Sequence, residues 1–374
     1  MHIKTTYCSQ RLLNFWDTKP VIHEMCGRLR SYVRFLPLNI VSGLDFYSNW
    51  RKNESFYVSL CDIHNMKIAP QTIILLQSLK GFGNVTVRNI VNQLVTCETY
   101  DLSVLHELIY ELIASRKLRV ALPTIDELKK SQEYADNVVL KSDRDGIKMH
   151  TFLDLEYPQK LHKTISETGK SDIPLMIHYK GNLSILNKPA LTVIGTREPD
   201  NAGVQAAEYF SSEFAKNQIN IVSGLALGCD SLAHKGALSA GGYTTAILAG
   251  GLDAIYPKEN AALAESILQS GGLLISENPI KTLTNKYNLV ARDRLQAALG
   301  DATLVIQTSV KGGTMHAAKA TLSAGKPLFV VDYKDSTAEV VQGNLLLKGQ
   351  GAIGLSSLQW KENPEFFIGK LSSL

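Results

Sequence analysis

Cysteine is scarce and scattered in this chain of 374 residues: Cys8, Cys26, Cys61, Cys97 and Cys229 are odd in number, far apart and never spaced as CxxC. That pattern argues against both a disulfide framework and a thiolate metal site, and suits free thiols in a reducing compartment. Long apolar runs are missing as well. No stretch of about 18 apolar residues is present to span a bilayer. The N-terminus also lacks the basic start, apolar centre and small-residue cleavage site of a secretory signal. The expectation is a cytoplasmic protein with no membrane contact. A strong excess of one charge is absent too, the formal balance being +4. Residues 1 to 52 hold 8 Lys/Arg against 3 Asp/Glu, which leaves 31 against 32 for the rest. Any nucleic-acid surface in the main body must therefore be a local patch. With 45% hydrophobic and 20% charged residues, the chain has the makings of two or three globular domains.

Three zones separate on pattern. Residues 1–65 mix aromatic, basic and polar residues without period or motif; they are either a small accessory domain or lie ahead of a true start at Met66. Residues 66–148 read as a small α-helical domain. Pro70 suits a first helical turn, and Ile73, Leu76 and Leu79 recur at helical spacing, as do Val87, Ile90, Val91 and Leu94 after a Gly81-Phe82-Gly83 turn. The segment resembles a helix-hairpin-helix, whose turn points N–H groups at a phosphate. On that reading Lys80, Gly81, Gly83 and Arg88 are candidate DNA contacts; on the alternative, the glycines only let the chain reverse. A further helix is expected over Leu102 to Arg116, then a polar tract from Asp126 to Asp145.

Residues 149–370 carry the clearest pattern. LTVIG, NIVSG, TTAILAG, LLISE, ATLVIQT and PLFVVD are strand-length apolar runs, separated by amphipathic stretches near 201–217, 229–240, 259–270, 288–299, 313–324 and 338–347. Strands apolar along their whole length, with helices between, predict an α/β fold: a Rossmann-like, doubly wound, mainly parallel sheet.

Ligands of such sheets bind beyond the carboxyl ends of the strands, where helix N-termini favour anions. The residues just after each strand are therefore the candidates. Gly195, Thr196 and Arg197 offer close backbone approach, a hydroxyl and a guanidinium able to grip phosphate. Ser223 and Gly224 open the second loop, with Asp230 a helix-start residue and His234 a structural histidine four residues on. Arg292 and Arg294 flank the edge, and Gly312, Gly313 and Thr314 open a late helix. No GxGxxG follows the first strand, and no Walker loop or GxSxG elbow is present, so no cofactor, catalytic residue or metal is expected.

SGLALGCDSLAHKGAL, AILAGGLDAIYPKEN, LLISENP, Arg292-Asp293-Arg294 and GNLLLKGQGA together resemble the DNA-processing protein A (DprA/Smf) family. The resemblance runs from DLEYPQKL near Asp154 to about Ile368. It implies a homodimeric, non-enzymatic recombination mediator that grips single-stranded DNA and helps a RecA-type recombinase load during DNA uptake or recombination. Carried over, Gly195, Thr196 and Arg197 match a glycine-serine-arginine motif; Ser223, Gly224 and Lys235 a second loop and helix; Arg292 and Arg294 an arginine-asparagine-arginine motif; and Gly312, Gly313 and Thr314 a serine-glycine-serine. Asp293 departs from the pattern and is expected to pair with an arginine or with Lys235. The family's C-terminal winged helix is expected to be missing. The alternative is a nucleotide sensor or LOG-like phosphoribohydrolase on the same fold, a defence system being one setting for it. Met315, His316, Ala317 and Ala318 stand where that hydrolase needs a carboxylate after Thr314.

Overall fold

A computed structural model describes residues 68–94, 101–333 and 338–371; they fall within one compact unit, Met66–Leu374. The zone 1–65 lies outside the described residues.

The described residues open with four helices: α1 (Pro70–Ser78), α2 (Asn84–Leu94), α3 (Leu102–Ala114) and α4 (Ile125–Arg144). Helix α2 buries Val87, Ile90, Val91 and Leu94, one stripe at helical period. Asp101 caps α3 by accepting the N–H groups of Ser103 and Val104 at 2.8 and 2.9 Å. The expected polar tract 126–145 is instead a helix of 20 residues. A reciprocal Thr124–Glu127 capping box starts it, and Leu128, Ala135, Val138 and Ser142 form a narrow buried seam. Four anchors in 20 residues are too few to stand out against a polar background, which is why composition hid the helix.

Strands β1 (Lys148–Thr151) and β2 (Met176–Gly181) follow, then the alternating core: β3 (Ala190–Ile194), α5 (Asn201–Lys216), β4 (Asn220–Ser223), α6 (Cys229–Ser239), β5 (Thr244–Ile247), α7 (Ala261–Gln269), β6 (Leu273–Ser276), α8 (Lys286–Leu299), β7 (Ala302–Val305), α9 (Thr314–Ser323), β8 (Leu328–Val331) and α10 (Gln342–Gly349). Strand β9 (Ile353–Leu355), α11 (Ser357–Glu362) and α12 (Pro364–Gly369) complete the chain. The sheet order is β1-β2-β6-β5-β4-β3-β7-β8-β9. From β6 to β9 every pairing is parallel, while β1 and β2 join antiparallel at one edge. The chain steps outward from β3 in one direction, then restarts at β7 and steps outward in the other. The loops after β3 and β7 thus diverge, which makes their carboxyl ends the topological switch point.

Alternate residues face opposite sides. Leu191 and Val193 of β3 pack with Ile221, Leu304 and Phe329 under Phe210 and Phe214 of α5 and Trp360 and Phe367 beyond. Ile194, Val305 and Val330 meet α9 and α10 on the other face, while Val222, Ile247 and Ile275 meet Leu295, Ala298 and Leu299 of α8. The helices α1 to α4 have no separate core. Their Ile73, Leu76, Ile90 and Leu105 belong to one buried cluster with Leu175, Met176, Leu248, Leu252 and Leu274 of the sheet region. The boundary expected near 148 therefore crosses a shared core.

Candidate single-strand interface at the carboxyl edge

At the switch point, Gln307 beyond β7 ties the two diverging loops together. Its carbonyl accepts the Thr196 N–H at 2.8 Å, and its amide donates to Asp200, the N-cap of α5, at 2.8 Å. Gly195 is required here: a Cβ would stand 2.5 Å from Cys229 Sγ. Burial pushes that thiol up to about 12, so Cys229 is a packing residue and no nucleophile. Arg197 then emerges exposed, with no hydrogen bond or ion pair among the described residues. It lines a small cleft with Gly224, Ala226, Leu227, Tyr256, Pro257 and Leu289. Leu227 and Tyr256 are exposed apolar walls, and Asn260 fixes the floor by donating to the carbonyls of Leu225 and Ala226 at 2.9 and 3.2 Å.

Beneath this cleft lies a buried charged network. Arg292 donates through Nη1 to the carbonyls of Gly224 and Ile247, at 2.7 and 2.8 Å, and through Nε to Asp293 Oδ1 at 3.2 Å. It therefore closes the carboxyl ends of β4 and β5 from within. Gly224 is glycine because a Cβ would come 1.9 Å from that guanidinium. Asp230 Oδ2 accepts the N–H groups of Gly224 and Ala226 at 3.1 and 3.4 Å; it clamps the loop, whereas the N-cap of α6 is Gly228. Gln296, with its amide turned to suit its neighbours, accepts from Gly224 N at 2.9 Å and donates to Asp293 at 3.1 Å. Burial raises both carboxyls, Asp293 to about 6, against the pull of Arg292.

Several sequence expectations are corrected here. Arg292 and Arg294 are buried and face the protein. Arg294 makes a two-pronged bond to Glu277 at 2.8 and 2.6 Å and pairs with Asp172 at 2.7 Å. Ser223 is fully buried and donates to Val193 O at 2.6 Å, joining β4 to β3 instead of meeting a phosphate. Arg88 is also turned inward: it donates to Ile173 O and lies over the Phe152 ring at 5.3 Å, fastening α2 to the sheet region. Asp293 takes Arg292, not Lys235, as its partner. His234 is buried and neutral, held down to about 3 by burial, with Nδ1 2.6 Å from Thr244 Oγ1.

Other candidates stay at the surface. Lys235 is exposed in the second turn of α6, with no partner among the described residues. Lys80, Gly81 and Gly83 are exposed, with open space over both glycines. The N–H groups of Phe82 and Gly83 donate within the turn, to Leu79 O and Gly81 O. At α9, Gly312 packs against Thr308, whereas nothing stands over Gly313 and no side chain caps the helix before Thr314. His316, one turn in, pairs with Glu167 at 2.8 Å. In the GNLLLKGQGA segment, Asn344 donates to Ile306 and Val331 and accepts from Thr308, so this motif residue pins the ends of β7 and β8. Leu227 and Leu289 were missed from the sequence as cleft residues, since nothing distinguishes an apolar loop residue that lines a cleft from one that covers a core.

Among the described residues, no group of three His, Cys, Asp or Glu side chains could hold a metal ion, and no helix is long and apolar enough to cross a membrane.

Fold and site define a doubly wound α/β protein whose carboxyl edge carries free cations above a neutralised, buried network. Residues 148–360 match the family described as DNA recombination-mediator protein A, and the chain belongs to that family. It is 33% identical to protein Smf of Escherichia coli over 175 residues, 47% of this chain and 45% of that protein. The chain spans about half the length of the curated relatives it matches. The crystal structure of DNA processing protein A from Streptococcus pneumoniae superposes with a TM-score of 0.63 at 25% identity, over 79% of this chain and 97% of that one. The protein of that name from Helicobacter pylori, whose structure concerns its single-stranded DNA binding mode, matches with a TM-score of 0.51 at 30% identity, over 59% and 96%.

Proposed function

We propose that this protein is a recombination mediator that holds the backbone of single-stranded DNA along the carboxyl edge of its sheet, without chemistry of its own. One observation carries the reading: among the described residues Arg197 stands unpaired beside apolar Leu227 and Tyr256, while Arg292 and Arg294 are neutralised beneath that edge. A free cation next to an exposed ring suits a strand whose phosphates need charge and whose bases need a flat apolar contact. The uncapped N-terminus of α9, open over Gly313, offers N–H donors to a further phosphate. Lys235 adds charge from α6. The match to the Helicobacter pylori protein, which binds single strands, supports the same assignment.

Partnership with a RecA-type recombinase and assembly as a homodimer complete the proposal on family grounds. A LOG-like hydrolase is disfavoured by Met315, which is buried where a carboxylate would be needed. The test is equilibrium binding of mixed-sequence single strands against duplex and mononucleotides at two salt concentrations. Tight, salt-sensitive preference for single strands is expected. Retention of a mononucleotide with no affinity for strands would overturn the reading. Sedimentation and recombinase filament assays examine the two partners.

A further inference from the structure

A second cleft opens on the same molecule. Its walls are Tyr134, Asn137, Leu140, Lys141 and Arg144 of α4 and Lys281 from the loop between β6 and α8, and its volume is about 340 Å³. The lining follows from helical geometry. Residues 134, 137, 141 and 144 repeat at three and four, on the side of α4 away from the seam Leu128, Ala135, Val138 and Ser142. Three of the six lining residues are cations. The opposing carboxylate is Asp253, 3.9 Å from Lys141 Nζ, and it is already occupied by the Lys281 N–H at 2.9 and 3.1 Å.

Lys281 sits at φ 66, a left-handed conformation that a lysine adopts at a cost. The carboxylate of Asp253 holds it there, so the fold spends backbone strain on placing this cation at the cleft. The segment from 281 to 289 then leads to the first cleft, because Lys281 lines one and Leu289 the other. Between them Leu283 and Tyr287 are 79% and 84% exposed, an apolar and aromatic step that the described residues leave uncovered.

We propose that the α4 cleft is a second single-strand subsite, continuing the path of the DNA held at the carboxyl edge. Phosphates meet Arg144 and Lys281, and bases lie on Tyr287 and Tyr134. The inference rests on the single-strand reading above. Cationic lining and exposed rings together favour a nucleic acid with unpaired bases over duplex, whose bases are not available to stack.

The test is affinity for labelled oligonucleotides of about 6 and about 20 nucleotides, lengths that bracket common single-strand site sizes. The full chain is compared with a Lys281→Asn, Arg144→Gln double variant. Asparagine tolerates the left-handed backbone, and an unchanged thermal melt verifies the fold. The long strand is expected to bind the native protein more tightly than the short one. The variant should lose about tenfold on the long strand and about 1.4 units of its salt slope, two contacts at roughly 0.7 each, with the short strand unchanged. Equal loss at both lengths, no loss, or a loss confined to duplex overturns the subsite while leaving the edge reading intact. Failure of the native protein to bind either strand overturns both.

Discussion

Arg197 and Arg292 lie on opposite sides of the same loop edge and do opposite work. Arg292 is 6% exposed, and its guanidinium is used by the carbonyls of Gly224 and Ile247 and by Asp293. Arg197 is exposed and has no partner among the described residues. Both residues are arginines in chain motifs that look equally suited to phosphate, Arg197 just beyond β3 and Arg292 within α8. Along this edge, charge is spent on the architecture of the loops by Arg292 before any is presented by Arg197. The carboxyl ends of β4 and β5 leave carbonyls pointing out of the sheet, and Arg292 satisfies them so that the loop above can be rigid.

The comparison breaks most decisively at Arg292. Arg292→Ala leaves Asp230 and Asp293 buried beside two unsatisfied carbonyls, and is expected to cost about 3–5 kcal/mol in urea unfolding. Normal stability with weakened DNA binding would return Arg292 to the surface role its motif suggests. Arg197→Ala should do the reverse. Stability should stay within about 0.5 kcal/mol, while single-strand affinity falls by about 1–3 kcal/mol for all sequences alike, which paired melting and binding curves would show.

A pH series sharpens the contrast. Asp293 is raised to about 6, so the folded state holds its proton more tightly than the unfolded chain. The contribution of Asp293 is then fully present below about pH 4, is lost as pH rises to about 6, and is level above that. The Asp293→Asn variant should lack this step, of roughly 1–3 kcal/mol at about 1.4 per unit; a native step that survives in the variant would assign it to another group. The smallest effect belongs to Lys235→Ala, which is expected to lower the salt slope by about 0.7 for one phosphate contact. An unaltered slope would place Lys235 away from the strand.

The parallel core was legible because burial on both faces makes β3 to β8 nearly all apolar, and the helices between them keep their period. Strands β1 and β2 carry mixed residues and β9 is only three long, so they left no such trace. At the edge, the positions of Gly195, Gly224 and the arginines could be read, but their direction could not. Gly224 signals a close approach in either case. Whether the approaching group is a ligand or Arg292 depends on where α8 lies, and that is set by packing among Leu295, Ala298 and Leu299 and the strands beneath, far from the motif.

The core shared between α1 to α4 and the sheet bears on how the molecule can be cut. A fragment trimmed to the family-matched 148–360 would strip cover from Leu175, Met176, Leu248, Leu252 and Leu274 and remove the Arg88 fastening. Each such side chain returned to water forfeits about 1.5–3 kcal/mol, comparable in sum to the whole stability of a domain. In this chain the family-matched segment is therefore smaller than the segment that shares one core, and a fragment built to those limits is expected to expose an apolar face that the longer chain covers.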